Sequence, residues 1–232
     1  MSGNIVAIIG PGGEGGTFLD WTLHYLAGDR FVKFVLVDRI TNTVNKIYPY
    51  PVIQNPITPK GNAHAHKKTH PTESTVQQCV DLLKTVTDPR VKLHTMYIVA
   101  SVESYNGGRT YQQVVERVIA NSNSTELKFI HMHHPDTMLE ELVHRVHTKV
   151  PDNTETLEDI RSRVSVACDE ENKIIVDDNV YSLNIKDMFY TLDIEIHKIL
   201  AWLNLPIEEP RYDKWLDVYK QWQVAQNVFT TT

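Results

Sequence analysis

The chain has 232 residues, 41% hydrophobic and 9% aromatic, with a formal charge of −6. That length suits one α/β domain spanning residues 1–232, with a helical C-terminal segment from about residue 185. The acidic balance argues against a nucleic-acid partner, which favours a basic face, and no apolar run approaches the roughly eighteen residues that a membrane helix needs. A polar start followed at once by a strand gives no secretory leader pattern, so a cytoplasmic location with no membrane partner is expected. Cys79 and Cys168 each stand alone in their segments and read as reduced core residues.

Ile5 to Ile9 is a short apolar run rich in β-branched residues, the pattern of a strand buried on both faces. Five glycines follow within Gly10 to Gly16, and Thr17, Phe18, Trp21, Tyr25 and Leu26 then recur at helical spacing. Phe31 to Val37 reads as a second strand. Asp38 to His70, with Pro49, Pro51, Pro56 and Pro59, reads as a long connection suited to ligand-facing loops. A helix begins at Thr72, and Thr95 to Ser101 is a strand. Thr110 to Ala120 is a helix, Lys128 to His133 a strand, and Asp136 to His147 a helix. Leu157 to Ala167 reads as helix, Lys173 to Val176 as strand and Ile185 to Phe189 as a turn of helix. Ile194 to Leu203 is amphipathic, with Ile196, Ile199, Leu200 and Leu203 on one face, and Asn204 to Pro206 stops it. Tyr212 to Gln223 closes the chain as an aromatic-rich helix whose Trp215, Tyr219 and Trp222 read as packing residues, as does Trp202. The alternation of strand and helix predicts a three-layer α/β/α fold around a mostly parallel sheet.

A glycine loop between a buried strand and a helix N-terminus lets backbone amides approach a phosphate. Three readings stay open on its residues. The phosphate-loop pattern G-x-x-x-x-G-K-S/T fits Gly10 to Thr17 in spacing, but Gly16 stands where lysine belongs, which counts against a nucleotide kinase relative. The dinucleotide pattern G-x-G-x-x-G fits Gly10, Gly12 and Gly15, with Asp38 as the acid after the second strand. A tight turn with no ligand fits as well.

Read in one register, Gly10, Pro11, Gly15, Thr17 and Leu19 agree with the sulfotransferase loop G-P-P-R-S-G-T-T-L-L. The strand Lys128 to His133 with His134, Pro135 and Asp136 is similar to that family's strand-then-R-D-P segment. Val180 to Phe189, the helix after it and Asn204, Leu205 and Pro206 are similar to its E-D-L, helix, F-L-G-L-P ending. In this order the chain resembles the phosphate-loop sulfotransferases. The resemblance implies transfer of a sulfuryl group from PAPS (3′-phosphoadenosine 5′-phosphosulfate) to a hydroxyl or amine of a small-molecule or carbohydrate-like acceptor. It places Gly12, Gly13, Gly15, Gly16 and Thr17 at the 5′-phosphate and His133 at the 3′-phosphate. The departures lie in the same motifs. Gly13 replaces the basic residue and Glu14 the small hydroxyl residue; His133 replaces arginine and Glu141 sits at the serine register. Histidine lacks arginine's fixed charge and two-pronged donor geometry.

Lys68, Thr69, His70 and Pro71 resemble the K-T-H-x-P segment around the base of cytosolic sulfotransferases, one residue shorter. The resemblance makes His70 the proton acceptor and lets Lys68 or Lys67 supply the charge missing at Gly13. The same histidines also read as a solvated loop, or as half of a zinc site, since His64/His66 and His131/His133 share the i, i+2 spacing. Asp177 and Asp178 read as a strand end, where ligand groups collect in open sheets. The rival to an enzyme is a sulfotransferase-like fold kept as a binding or structural protein, which would suit a virus-encoded chain in a host cytoplasm. Neither reading fixes the oligomeric state.

Overall fold

A computed structural model of the chain describes residues 4–10, 15–34, 37–38, 43–44, 47–48, 55–57, 78, 81, 93–99, 127–133, 139–149, 156–171 and 178–226. The strands are β1 (Asn4–Gly10), β2 (Phe31–Phe34), β3 (Val37–Asp38), β4 (Thr43–Val44), β5 (Ile47–Tyr48), β6 (Leu93–Val99), β7 (Leu127–His133) and β8 (Val180–Asn184). The helices are α1 (Gly16–Ala27), α2 (Leu139–Lys149), α3 (Leu157–Glu171), α4 (Ile185–Tyr190), α5 (Leu192–Trp202) and α6 (Glu209–Ala225). The expected strand Phe31 to Val37 ends at Phe34, and Val37–Asp38 instead pairs with Thr43–Val44 in a separate two-stranded ladder. The expected helices at 72 and at 110–120 and the strand at 173–176 lie outside the described residues, except Gln78 and Asp81, which are helical.

Six strands form the main sheet in the order β5-β2-β6-β1-β7-β8. All neighbours are parallel except β5, which runs antiparallel to β2. β1 is central because it is apolar on both sides. Ile5, Ala7 and Ile9 point to one face and Val6 and Ile8 to the other, and all five are buried. A strand sealed on both faces needs cover on both, as in a three-layer α/β/α arrangement. Val6 and Ile8 share one core with Phe18, Trp21, Ile130, Met132 and the aromatic residues of α6.

α1 is buried along its whole length apart from Thr17. Its inner side lies on the sheet, and α6 covers its outer side. The two helices run antiparallel. Arg211 Nη1 donates to the Tyr25 carbonyl at 3.2 Å, near the end of α1, and Trp215 Nε1 donates to Thr22 Oγ1 at 3.0 Å. Tyr219 and Trp222 then reach Phe18 in the first turn of α1. On its sheet side, Asp20 accepts a 2.5 Å hydrogen bond from Thr95 Oγ1 of β6, so a buried carboxylate ties helix to strand.

Local signals set the helix ends. Thr156 and Asp159 cap α3 reciprocally: Asp159 N donates to Thr156 Oγ1 and Thr156 N to Asp159 Oδ2, each at 3.1 Å. Asn184 Oδ1 accepts from Lys186 N at 2.8 Å and starts α4 directly from β8. Asn204, at φ 54°, ends α5, and Leu205 N reaches back to the Leu200 carbonyl at 2.9 Å. The expected stop at Asn204 is therefore a left-handed C-terminal turn with Leu205 buried beneath it. The apolar stripe Ile196, Ile199, Leu200 and Leu203 is buried as the periodicity requires.

At the β8 edge, Glu195 of α5 accepts from Tyr181 Oη at 2.7 Å and from Lys198 Nζ at 2.5 Å. Burial pushes the Glu195 carboxyl up. The hydrogen bonds from Lys198 and Tyr181, with the Lys198 charge, outweigh it and hold the group below its ordinary 4.5. A carboxyl depressed in the folded state contributes stability above its unfolded pKa, and that contribution is lost as pH falls through the folded value. Glu195→Gln is therefore expected to cost about 1 kcal/mol at pH 7 and much less at pH 3, read by urea unfolding at both. An equal loss at the two pH values would contradict the assignment.

Candidate functional site

In an open parallel sheet, ligands collect beyond the carboxyl ends of the strands, where neighbouring strands send their connections to opposite sides. Here β1 leads through α1 to β2, toward one edge of the sheet, and β7 leads through α2 and α3 to β8, at the opposite edge. The switch point is therefore the β1/β7 pair. Ile9 sits level with His131 in this ladder. Gly10 and His133 thus end the two strands at the mouth of the same crevice. A side chain at Gly10 would meet the Met132 Cβ at 3.0 Å, so β1 and β7 approach closely there and a larger residue would push them apart.

The α1 N-terminus opens on this edge. Gly15 precedes the helix in the left-handed region at φ 88°, a conformation that favours glycine. The first intrahelical bond runs from Leu19 N to the Gly15 carbonyl at 2.9 Å. The amides of Gly16, Thr17 and Phe18 precede it and have no acceptor inside the helix. Among the described residues no side chain caps this end, and no acidic residue stands in the first turn. Aligned amides and the positive end of the helix dipole make such a terminus suited to an anion.

Of the residues expected at the donor site, Gly15, Gly16 and Thr17 form this turn, and His133 stands across the switch point on β7. Gly16 is buried and Thr17 half-buried. Gly12, Gly13, Glu14, Lys68 and His70 lie outside the described residues. The His133 ring is half-buried, 5.7 Å between centroids from the buried His131. Among the described residues no group of three or more His, Cys, Asp or Glu is placed to share a metal ion. Glu141, half-buried on α2, is engaged by Tyr190 Oη at 3.2 Å. Asp38, the acid of the dinucleotide pattern, pairs through its backbone with Thr43 in the separate ladder.

One expectation is corrected. Asp178 does not stand at the ligand edge. It lies in the turn that enters β8, and Asn179 beside it pairs with Phe129 near the start of β7. Parallel strands put that turn at the amino edge of the sheet, opposite the crevice. There the Asp178 carbonyl accepts from Trp202 Nε1 at 3.2 Å. Trp202 itself lies under Lys128 Nζ, 4.6 Å from the ring centroid, which supports its reading as a packing residue.

Sequence reasoning assigns the aromatic residues of α6 to packing, and they do pack. It gives no hint that one of them reaches the glycine turn. A methyl group built on Gly15 would lie 3.1 Å from Trp222 Cη2 and Cζ2 and 3.1 Å from Met188 Cε. The i, i+4, i+7 spacing of Trp215, Tyr219 and Trp222 marks a helical stripe, but nothing in that spacing names its partner.

No protein-family model matches the chain, and no curated protein matches it. Solved structures do. It is similar to mouse sulfotransferase SULT7A1 complexed with PAP, at 11% identity and TM-score 0.49, over 94% of this chain and 64% of that one. The chain therefore spans less than two thirds of that protein's length. It is similar to the sulfotransferase domain from the curacin biosynthetic pathway, at 16% identity and TM-score 0.47, over 90% of this chain and 76% of that one. It is also similar to a sulfotransferase from Alicyclobacillus acidocaldarius, at 10% identity and TM-score 0.42, over 98% and 95% of the two chains. Among the described residues no helix is long and apolar enough to cross a membrane.

Proposed function

We propose that the chain binds a nucleotide phosphate at the α1 N-terminus and acts as a sulfotransferase-like protein with PAPS as its donor. One observation carries this reading. The glycine turn Gly15–Thr17, with Gly16 buried, opens at the switch point between β1 and β7, with no side-chain cap and no first-turn acid among the described residues. That is where backbone amides best meet an anion. The sequence motifs around it give the anion its chemical class.

In this reading the amides of Gly15, Gly16 and Thr17 hold the 5′-phosphate, with Gly12 and Gly13 completing the loop, and His133 faces the 3′-phosphate. PAPS, when bound, supplies an activated sulfuryl group. His70 takes the proton from the acceptor hydroxyl or amine, because an imidazole titrates near ambient pH. Lys68 stabilises negative charge near the loop, where Gly13 offers none. The acceptor is a small-molecule or carbohydrate-like compound.

Isothermal calorimetry with adenosine 3′,5′-bisphosphate tests the reading. Micromolar binding is expected, with ATP bound at least about tenfold more weakly, because it has no 3′-phosphate to meet His133. Silence toward both nucleotides overturns the donor site and leaves a binding or structural protein. The substitutions at Gly13, Glu14 and His133, which remove fixed positive charge and add a carboxylate, favour that second reading.

A further inference from the structure

We infer that Trp222, on the C-terminal helix, is the residue that positions the glycine turn for anion binding; the inference rests on the nucleotide-binding reading above. Glycine populates positive and negative φ about equally, so Gly15 alone does not hold its conformation. Something beside it must. The Trp222 benzo edge and the Met188 methyl group form that wall, each 3.1 Å from where a Gly15 side chain would begin.

The wall is itself rigidly built. Trp222 lies between Phe18 and Phe189, at ring centroid distances of 4.4 and 5.1 Å and interplanar angles of 10° and 5°. Both its faces are thus occupied, so it is no platform for a nucleotide base. Gln223 Nε2 donates to the Phe189 carbonyl at 2.7 Å, and Tyr219 Oη accepts from Leu192 N at 3.0 Å. α6 is fixed along α1 by Trp215 and Arg211. The last helix of the described chain therefore sets the direction of the first-turn amides of α1. A smaller side chain at 222 frees Gly15 to leave the left-handed region, and those amides no longer converge.

Trp222→Leu is expected to weaken adenosine 3′,5′-bisphosphate binding by about tenfold or more, because the turn must then be ordered on binding. Trp222→Phe, which keeps a flat ring between Phe18 and Phe189, is expected to recover most of the affinity. Trp202→Phe, which loses the bond to the Asp178 carbonyl at the opposite edge of the sheet, serves as the control. It lowers the melting temperature but holds affinity within about twofold. Amide hydrogen exchange at residues 15–17 gives a readout that needs no ligand. Exchange there should accelerate in Trp222→Leu and in Met188→Ala, but not in Trp202→Phe. Wild-type protein that binds no nucleotide overturns the functional reading, and the exchange result then decides the positioning role alone. Wild-type affinity in Trp222→Leu, or equal exchange in all variants, overturns the inference. Should Trp222→Leu not fold, Met188→Ala carries the same comparison.

Discussion

Gly15→Asp is expected to abolish nucleotide binding and to destabilise the protein by about 3 kcal/mol, the sum of a strained left-handed residue and an overpacked contact. Three effects act together. An aspartate at φ 88° leaves the region that L-residues adopt readily. Its Cβ meets the Trp222 ring and the Met188 methyl group at 3.1 Å, and the ring is clamped between two others, so it cannot yield. Its carboxylate also stands at the N-terminus of α1, where the bound anion would sit, and competes for the same amides. Gly15→Ala separates the terms, since it keeps the strain and the contact but adds no charge. Urea unfolding of the two variants should give losses of the same order, whereas calorimetry should show residual binding only for Gly15→Ala. Full binding by Gly15→Asp would place the anion elsewhere on the chain.

The glycine loop shows how far sequence goes. A β-branched run followed by glycines and a helical stripe places strand and helix correctly, because periodicity and buried area are local properties. Which glycine needs a positive φ is not local. Five glycines within seven residues satisfy several patterns at once, and each tolerates any backbone conformation. Gly15 is singled out by what lies behind it, namely Met188 and Trp222 from the far end of the chain.

The same division runs through the rest of the fold. The stripe of α5 and the aromatic periodicity of α6 were legible, and so was the stop at Asn204, since asparagine tolerates the left-handed turn that glycine usually fills. The strand β8 was not. Its five residues, Val-Tyr-Ser-Leu-Asn, are mostly half-exposed and run straight into α4 through the Asn184 cap, so no turn residues separate strand from helix. Missing β8 also misplaced Asp178, because the edge of the sheet that a residue occupies depends on which strand it enters or leaves. Gly15, Gly16, Thr17 and His133 could be named as candidates from their motifs alone. Their meeting at one crevice required the strand order, which places β7 beside β1 although they are far apart in sequence.

Trp215→Ala is expected to cost about 3–5 kcal/mol, the largest loss from any single side chain in the C-terminal helix. Trp215 is fully buried and stacks on Tyr219 with centroids 5.4 Å apart and rings within 5° of parallel. Its Nε1 is the donor to Thr22 Oγ1 inside the α1–α6 interface. Truncation opens a cavity too large for the helix pair to close and leaves the Thr22 hydroxyl buried without that partner. Trp215→Phe retains most of the volume and loses chiefly the hydrogen bond, so its cost should fall to roughly 1–2 kcal/mol. Differential scanning calorimetry would separate the two. A small loss for Trp215→Ala would mean that α6 only rests on α1. In that case Trp222 could not transmit position to Gly15, since the lever that holds it would be free to swing. A large loss makes α6 part of the cooperative core, and the wall behind the glycine turn is then as rigid as the sheet in front of it.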